Sequence, residues 1–196
     1  MSRPGSPSAP LLARGVQRPW DPRVWGTVVG AVGGSVFVWA NRSDLPSPWP
    51  DLTMVAWTAA LVAYLYWVFV RPRPFRPVAD LPRRAGTVYL LSVVGMLLLI
   101  RVGSAVLGHL DHAELRPPVI VAAVGAHFLP FARAFRTPVF WTLGWVMVAI
   151  GAVGVVGGWF GGTSTAAAVT VVAGIVMLAV ITRDAATGGG TAHQDG

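Results

Sequence analysis

Two ionisable residues, Arg101 and His127, lie well away from the ends of long apolar segments, the first in the third segment and the second in the fourth. Ionisable groups within a bilayer are energetically costly and are typical of functional sites. Counted from the loop that joins the two segments, at a rise of ~1.5 Å per residue, they lie roughly 10 and 13 Å deep. An arginine side chain can span that difference, so Arg101 and His127 are candidates for one shared polar pocket, and the sequence alone does not decide whether they share it.

A proline adds a third polar group beside His127. Pro130 has no amide N–H, so the carbonyl of Ala126 loses its usual helical donor. No Asp or Glu lies within any apolar segment. The candidate site would therefore contain a guanidinium, an imidazole and a free carbonyl group, but no carboxylate. Such a site favours an anionic or neutral polar ligand.

Each of these two residues also has a structural interpretation. Arg101 could extend to the outer lipid headgroups, or pair with Asp111 or Glu114. His127 could form a hydrogen bond to a neighbouring backbone or hydroxyl group. Because His127 is the only histidine within a segment, two histidines at one depth are not expected to hold a haem, and we predict no cofactor.

The loop between the third and fourth segments contains a weak candidate for a metal site. Its histidines and carboxylates are ligand types that transition metals accept. Such groups are also common in solvated loops, which is the simpler interpretation. The candidate ligands are His109, Asp111, His112 and Glu114.

The composition indicates a membrane protein. Apolar residues make up 54% of the 196 residues and charged residues 12%, and the mean hydropathy is +0.61, whereas a soluble domain has about a quarter charged residues. Six apolar segments approach the roughly twenty residues that cross a hydrocarbon core. We therefore predict an all-α polytopic bundle of six transmembrane helices, over residues 24–40, 52–70, 86–108, 118–135, 138–160 and 163–182.

The arginines indicate the orientation of these segments. All fifteen basic residues are Arg, and basic residues concentrate in cytoplasmic loops. With a cytoplasmic N-terminus, twelve fall inside: Arg3, Arg14, Arg18, Arg23, Arg71, Arg73, Arg76, Arg83, Arg84, Arg133, Arg136 and Arg183. Only Arg42 and Arg116 fall outside. We predict that both termini are cytoplasmic, with disordered tails at residues 1–23 and 183–196.

The same bias assigns a role to the loop between the second and third segments. Its arginines, from Arg71 to Arg84, are expected to attract anionic lipid at the cytoplasmic surface. Nucleic-acid binding would need a folded basic module, which the sequence lacks, so the net charge of +7 is assigned to the membrane.

Glycine spacing predicts a packing surface on the first segment. Gly26, Gly30 and Gly34 recur every four residues, a pattern that allows another helix to approach closely in lipid. Packing within the chain is the favoured interpretation. A homodimer face or a permeation path is the alternative.

The fourth segment resembles a sequence found in small uncharacterised bacterial multi-pass membrane proteins. These proteins carry a G-x-H-F-L-P segment late in the chain, which is similar to Gly125–Pro130 here. The resemblance covers about thirty residues, from Gly125 to Ile150, and implies a shared helical core around His127 and Pro130. It implies no activity. Phe131 departs from the hydroxyl-bearing aromatic residue expected after the proline.

The function that the sequence favours is non-catalytic. The chain lacks Cys and Lys, which excludes thiolate and Schiff-base chemistry, and it contains no hydrolase, zinc-protease or nucleotide-binding motif. We expect an accessory, scaffold or small-ligand-sensing component of the membrane, with a membrane-protein partner or a second copy of the chain. The alternative is a small permease or channel for a polar or anionic solute, lined by Arg101 and His127. A lipid-modifying enzyme would need acid and base groups that the chain mostly lacks.

Overall fold

The computed structural model describes residues 11–18, 21–75, 85–135 and 138–187. The outermost parts of both predicted tails, 1–10 and 188–196, lie outside the described residues, as do residues 76–84 of the arginine-rich loop. The described elements, in chain order, are β1 (Leu11–Ala13), α1 (Pro22–Asn41), α2 (Trp49–Leu65), β2 (Arg73–Phe75), α3 (Ala85–His109), α4 (Arg116–Phe135) and α5 (Pro138–Thr187).

Among the described residues, five helices are long and apolar enough to cross a membrane. The first four begin and end close to the predicted segments, because proline marks several of their limits. Pro22 opens α1, and Pro117 lies in the first turn of α4. Proline is tolerated in a first turn because the backbone N–H groups there make no hydrogen bond within the helix. Helix α2 ends in a π-helical turn, Tyr66–Val70, just before Pro72. Helix α4 continues through Pro130 to Phe135.

The fifth helix contains one residue with a non-helical backbone. Gly162 has φ 69° and ψ −162°, a conformation open almost only to glycine. The chain on its two sides packs together. A Cβ added at Gly154 would lie 2.9 Å from Cγ1 of Val169, and one added at Gly158 would lie 2.9 Å from Cβ of Ala166. The 50 residues of α5 therefore fold back at Gly162.

Two stretches predicted as disordered tail are ordered in the structure. Residues 11–18, part of the predicted tail 1–23, form β1 and a 3-10 turn, and β1 pairs antiparallel with β2. Local composition does not reveal this pairing, because the partner strand is about sixty residues away along the chain. At the other end, α5 continues to Thr187, beyond the predicted limit at 182, because Ala185 is 4% exposed and extends its buried face.

The core lies where α1, α4 and α5 meet. Fully buried side chains in this region include Val38, Val121, Leu143, Met147 and Leu178. Helices α2 and α3 lie at the periphery, α2 against α1 and α5, and α3 against α4. The most apolar stretch of α3 is only 11% buried, against 50% for α5. A helix so apolar and so exposed fits contact with lipid or with another membrane helix.

Candidate functional site

Most of the polar residues singled out in the sequence lie along the interface between α3 and α4. The two helices are joined by residues 110–115 and run antiparallel. Near the loop, a Cβ added at Gly103 would lie 2.8 Å from Cγ1 of Val119. Far from the loop, the rings of Tyr89 and His127 lie 6.1 Å apart. This register determines which polar groups can meet.

Arg101 is exposed and lies beside the start of α4. It lines a groove of about 920 Å³ together with Ser104 and Arg116. The Arg116 side chain extends across to α3. Its Nη2 atom would lie 3.1 Å from a Cβ added at Gly108. The site around Arg101 is therefore a groove with two guanidinium groups that opens sideways from the bundle.

His127 lies in an aromatic environment further along the same interface. Its ring is 5.6 Å from that of Phe128 and 6.2 Å from that of Phe131, and it lies beside the backbone of Ser92 on α3. Among the described residues, its buried Nδ1 atom has no hydrogen-bond partner. The imidazole is packed as an aromatic ring with one unsatisfied polar atom.

Within the described residues, Arg101 and His127 have different neighbours: Arg101 lines a groove with Arg116, and His127 lies beside the rings of Tyr89 and Phe131. The loop is shorter than the sequence suggested, since α3 ends at His109 and α4 already begins at Arg116. Counted from these ends, Arg101 is eight residues, or ~12 Å, along α3, and His127 is eleven residues, or ~17 Å, along α4. This difference in depth is small, so the contacts between the two helices decide which groups meet. The antiparallel register pairs Arg101 with the start of α4 and His127 with Tyr89 and Ser92.

Ala126 and Pro130 surround His127 in the chain, but Pro130 lines a different cavity. That cavity, of about 500 Å³, lies between α3, α4 and α5 and also contains Arg133 and Trp141. The Arg133 guanidinium lies 5.1 Å from the centre of the Trp141 ring, a cation–π contact typical of the membrane boundary. The proline and the histidine therefore face separate surroundings.

The α3–α4 loop brings together two of the four candidate metal ligands. Nδ1 of His112 lies 2.8 Å from Oε1 of Glu114, and the His112 ring lies 4.0 Å from that of Trp159 on α5. His109 and Asp111 are exposed. Within the described ranges, no group of three His, Asp or Glu side chains could hold a metal ion. The observed arrangement is a hydrogen bond within the loop, between His112 and Glu114, and a ring contact of His112 with Trp159 that holds the loop against α5.

The glycine row of α1 faces α5. A Cβ added at Gly26 would lie 2.7 Å from Phe140, one at Gly30 would lie 2.6 Å from Ile181, and one at Gly34 would lie 2.8 Å from the Gly174 carbonyl oxygen. All three contacts are made within the chain.

Sequence reasoning missed Arg116 as a site residue and treated it only as an outer arginine. The position of Arg116 directly after a short loop could have indicated its role. A short connection places the start of α4 close to the end of α3.

No protein-family model, no curated protein and no solved structure matches this chain significantly. The interpretation of the molecule therefore depends on its own geometry.

Proposed function

We propose that the chain is a protein of the cytoplasmic membrane that crosses it six times, with both termini in the cytoplasm. As one straight helix, the 50 residues of α5 would be ~75 Å long, more than twice the ~30 Å hydrocarbon core. The fold-back at Gly162 offers two spans instead. Two further observations support this: Leu45 and Ser164 line one cavity, and the His112 ring lies 4.0 Å from the Trp159 ring. The three turns after α1, after α3 and at Gly162 would then emerge on one side.

Single-cysteine labelling tests this topology, because the chain has no native cysteine. In intact cells, a membrane-impermeant maleimide should label Ser43→Cys and Thr163→Cys from outside. Ala186→Cys should react only after the membrane is opened. External labelling of Ala186→Cys would contradict the six-span topology.

We further propose that the protein acts as a non-catalytic accessory or scaffold component that contacts a second membrane protein through α3. The carrying observation is the free face of α3, the row formed by Leu91, Gly95 and Val102. Leu91 is 65% and Val102 59% exposed, and no atom lies within 4 Å of a Cβ added at Gly95. Small residues between large apolar ones are typical of helix–helix contacts in lipid.

Site-specific photo-crosslinking in the membrane tests this role. A photoreactive residue at Leu91 or Val102 should link the chain to one discrete polypeptide. The same residue at Val153 on α5, an apolar position 63% exposed, is the matched control and should give only lipid adducts. The mass of the product distinguishes a second copy from a different protein. Lipid adducts alone at all three positions would contradict the proposal.

The permease alternative receives less support. Arg101 and His127 line separate parts of a peripheral interface, whereas buried apolar side chains such as Met147 and Leu178 occupy the centre of the bundle.

A further inference from the structure

The groove beside Arg101 changes in character along its length. At the end near the α3–α4 loop it is lined by Arg116, Arg101 and Ser104. At the other end, towards the middle of α3, the lining residues are Val94, Leu97 and Leu98, which are apolar. A groove of this kind is complementary to a ligand that is itself charged at one end and apolar at the other.

The two guanidinium groups in this groove have no partner of opposite charge. Among the residues that the structure describes, neither Arg101 nor Arg116 takes part in an ion pair or a side-chain hydrogen bond. The described residues that line the groove include no carboxylate. Two like charges that share a surface of low polarity repel each other, and an anion placed between them stabilises both.

The order of these residues with depth matches a lipid. Arg116 is the first residue of α4, and its guanidinium group lies over Gly108 at the end of α3. Arg101 is seven residues earlier than Gly108, which places its Cα ~10 Å deeper, and Val94 is ~10 Å deeper again. Arg116 at the boundary therefore corresponds in depth to a lipid phosphate. Arg101 and Ser104 correspond to the glycerol esters, and the apolar wall that begins at Val94 corresponds to an acyl chain.

We propose that this groove binds one anionic glycerophospholipid from the leaflet at the α3–α4 loop. Arg116 binds the headgroup phosphate, Arg101 and Ser104 donate to the phosphate and ester oxygens below it, and the acyl chain lies along Val94, Leu97 and Leu98. The site goes beyond the proposed scaffold role, which needs no lipid. It is also separate from the arginine-rich loop, which precedes the opposite end of α3.

Native mass spectrometry in mild detergent, with added phosphatidylglycerol and phosphatidylethanolamine, tests the site. The wild-type protein should retain one phosphatidylglycerol about tenfold better than phosphatidylethanolamine. Both lipids carry the phosphate, but the ammonium group of phosphatidylethanolamine is repelled by the two guanidinium groups. The Arg101→Gln/Arg116→Gln variant should lose this preference. Leu97→Trp, which fills the apolar end, should reduce retention of both lipids.

Arg42→Gln is the matched control, because it removes the same charge outside the groove. The Arg42 guanidinium lies 4.5 Å from the Trp39 ring centre, and this variant should keep the wild-type preference. Glycerol phosphate at millimolar concentration should not displace the lipid, because it lacks the acyl chain.

Three results would overturn the proposal: an unchanged preference in the double variant, an equal loss in Arg42→Gln, or displacement of the lipid by glycerol phosphate. The last result would assign the groove to a free phosphate compound. If the double variant does not fold, Arg116→Gln alone decides the question, because Arg116 is exposed at a helix end and its loss should still abolish the preference.

Discussion

The α1–α5 and α3–α4 interfaces are built on different principles. Between α1 and α5, glycine backbones touch: a Cβ added at Gly174 would meet the Gly34 carbonyl oxygen, and one added at Gly34 would lie 2.8 Å from that of Gly174. Between α3 and α4, contacts involve side chains, including the Tyr89 and His127 rings 6.1 Å apart. The first interface is central and the second is peripheral.

This difference separates stability from recognition. In lipid, close backbone approach maximises van der Waals contact, which holds helices together without a hydrophobic driving force. The α1–α5 interface therefore has no room for a ligand. The α3–α4 interface is more open, and its groove with Arg101 and Arg116 lies where lipid or a partner can reach it.

The largest expected effect is at the central interface. Gly174→Ala should lower the free energy of unfolding by about 2–3 kcal/mol, because the new methyl group overlaps a backbone carbonyl that cannot rotate away. Thermal unfolding of the purified protein in detergent measures this. Gly95→Ala is the matched control on α3. No atom lies within 4 Å of its added Cβ, so stability should be unchanged or slightly raised.

Equal losses for Gly174→Ala and Gly95→Ala would contradict the comparison. They would mean that the free face of α3 is already packed against a partner or a second copy in the purified protein. Size-exclusion chromatography of the same samples would then show the larger particle.

Hydropathy and proline positions predicted most of the helix limits, because both are local properties. Pro22 opens α1, and the predicted break between residues 160 and 163 contains Gly162, where the backbone of α5 is non-helical. The pairing of β1 with β2 and the α3–α4 register could not be predicted, because both depend on contacts between distant residues. A depth counted from segment ends placed Arg101 and His127 together. The contacts between the two helices separate them, because His127 lies against Tyr89 and Ser92 whereas Arg101 lines a groove with Arg116.

A smaller effect is expected for a glycine at the peripheral interface. A Cβ added at Gly103 would lie 2.8 Å from Cγ1 of Val119, a side-chain atom on a partly exposed residue rather than a backbone atom. Gly103→Ala should therefore lower the free energy of unfolding by about 1 kcal/mol or less, since the gain in helix propensity offsets part of the clash. Gly103→Ala/Val119→Ala should recover the loss if this single contact causes it. A loss as large as that of Gly174→Ala would place the two interfaces in the same class.

The smallest expected effect is at His127. Its buried Nδ1 has no partner among the described residues, while the ring interacts with the Ser92 backbone. Removal of the unsatisfied atom stabilises the fold and loss of the Ser92 interaction destabilises it, so the two effects partly cancel. His127→Phe keeps an aromatic ring beside Tyr89 and Phe131, so the unfolding free energy should stay within about 1 kcal/mol of wild type or rise. Phe128→His is the reciprocal control. Phe128 is 7% exposed and stacks on Phe140 at 5.7 Å, so a new imidazole there should be clearly destabilising. A larger loss of unfolding free energy for His127→Phe than for Phe128→His would mean that a polar contact of the imidazole stabilises the α3–α4 interface. The peripheral interface would then depend on polar contacts, whereas the central one depends on glycine.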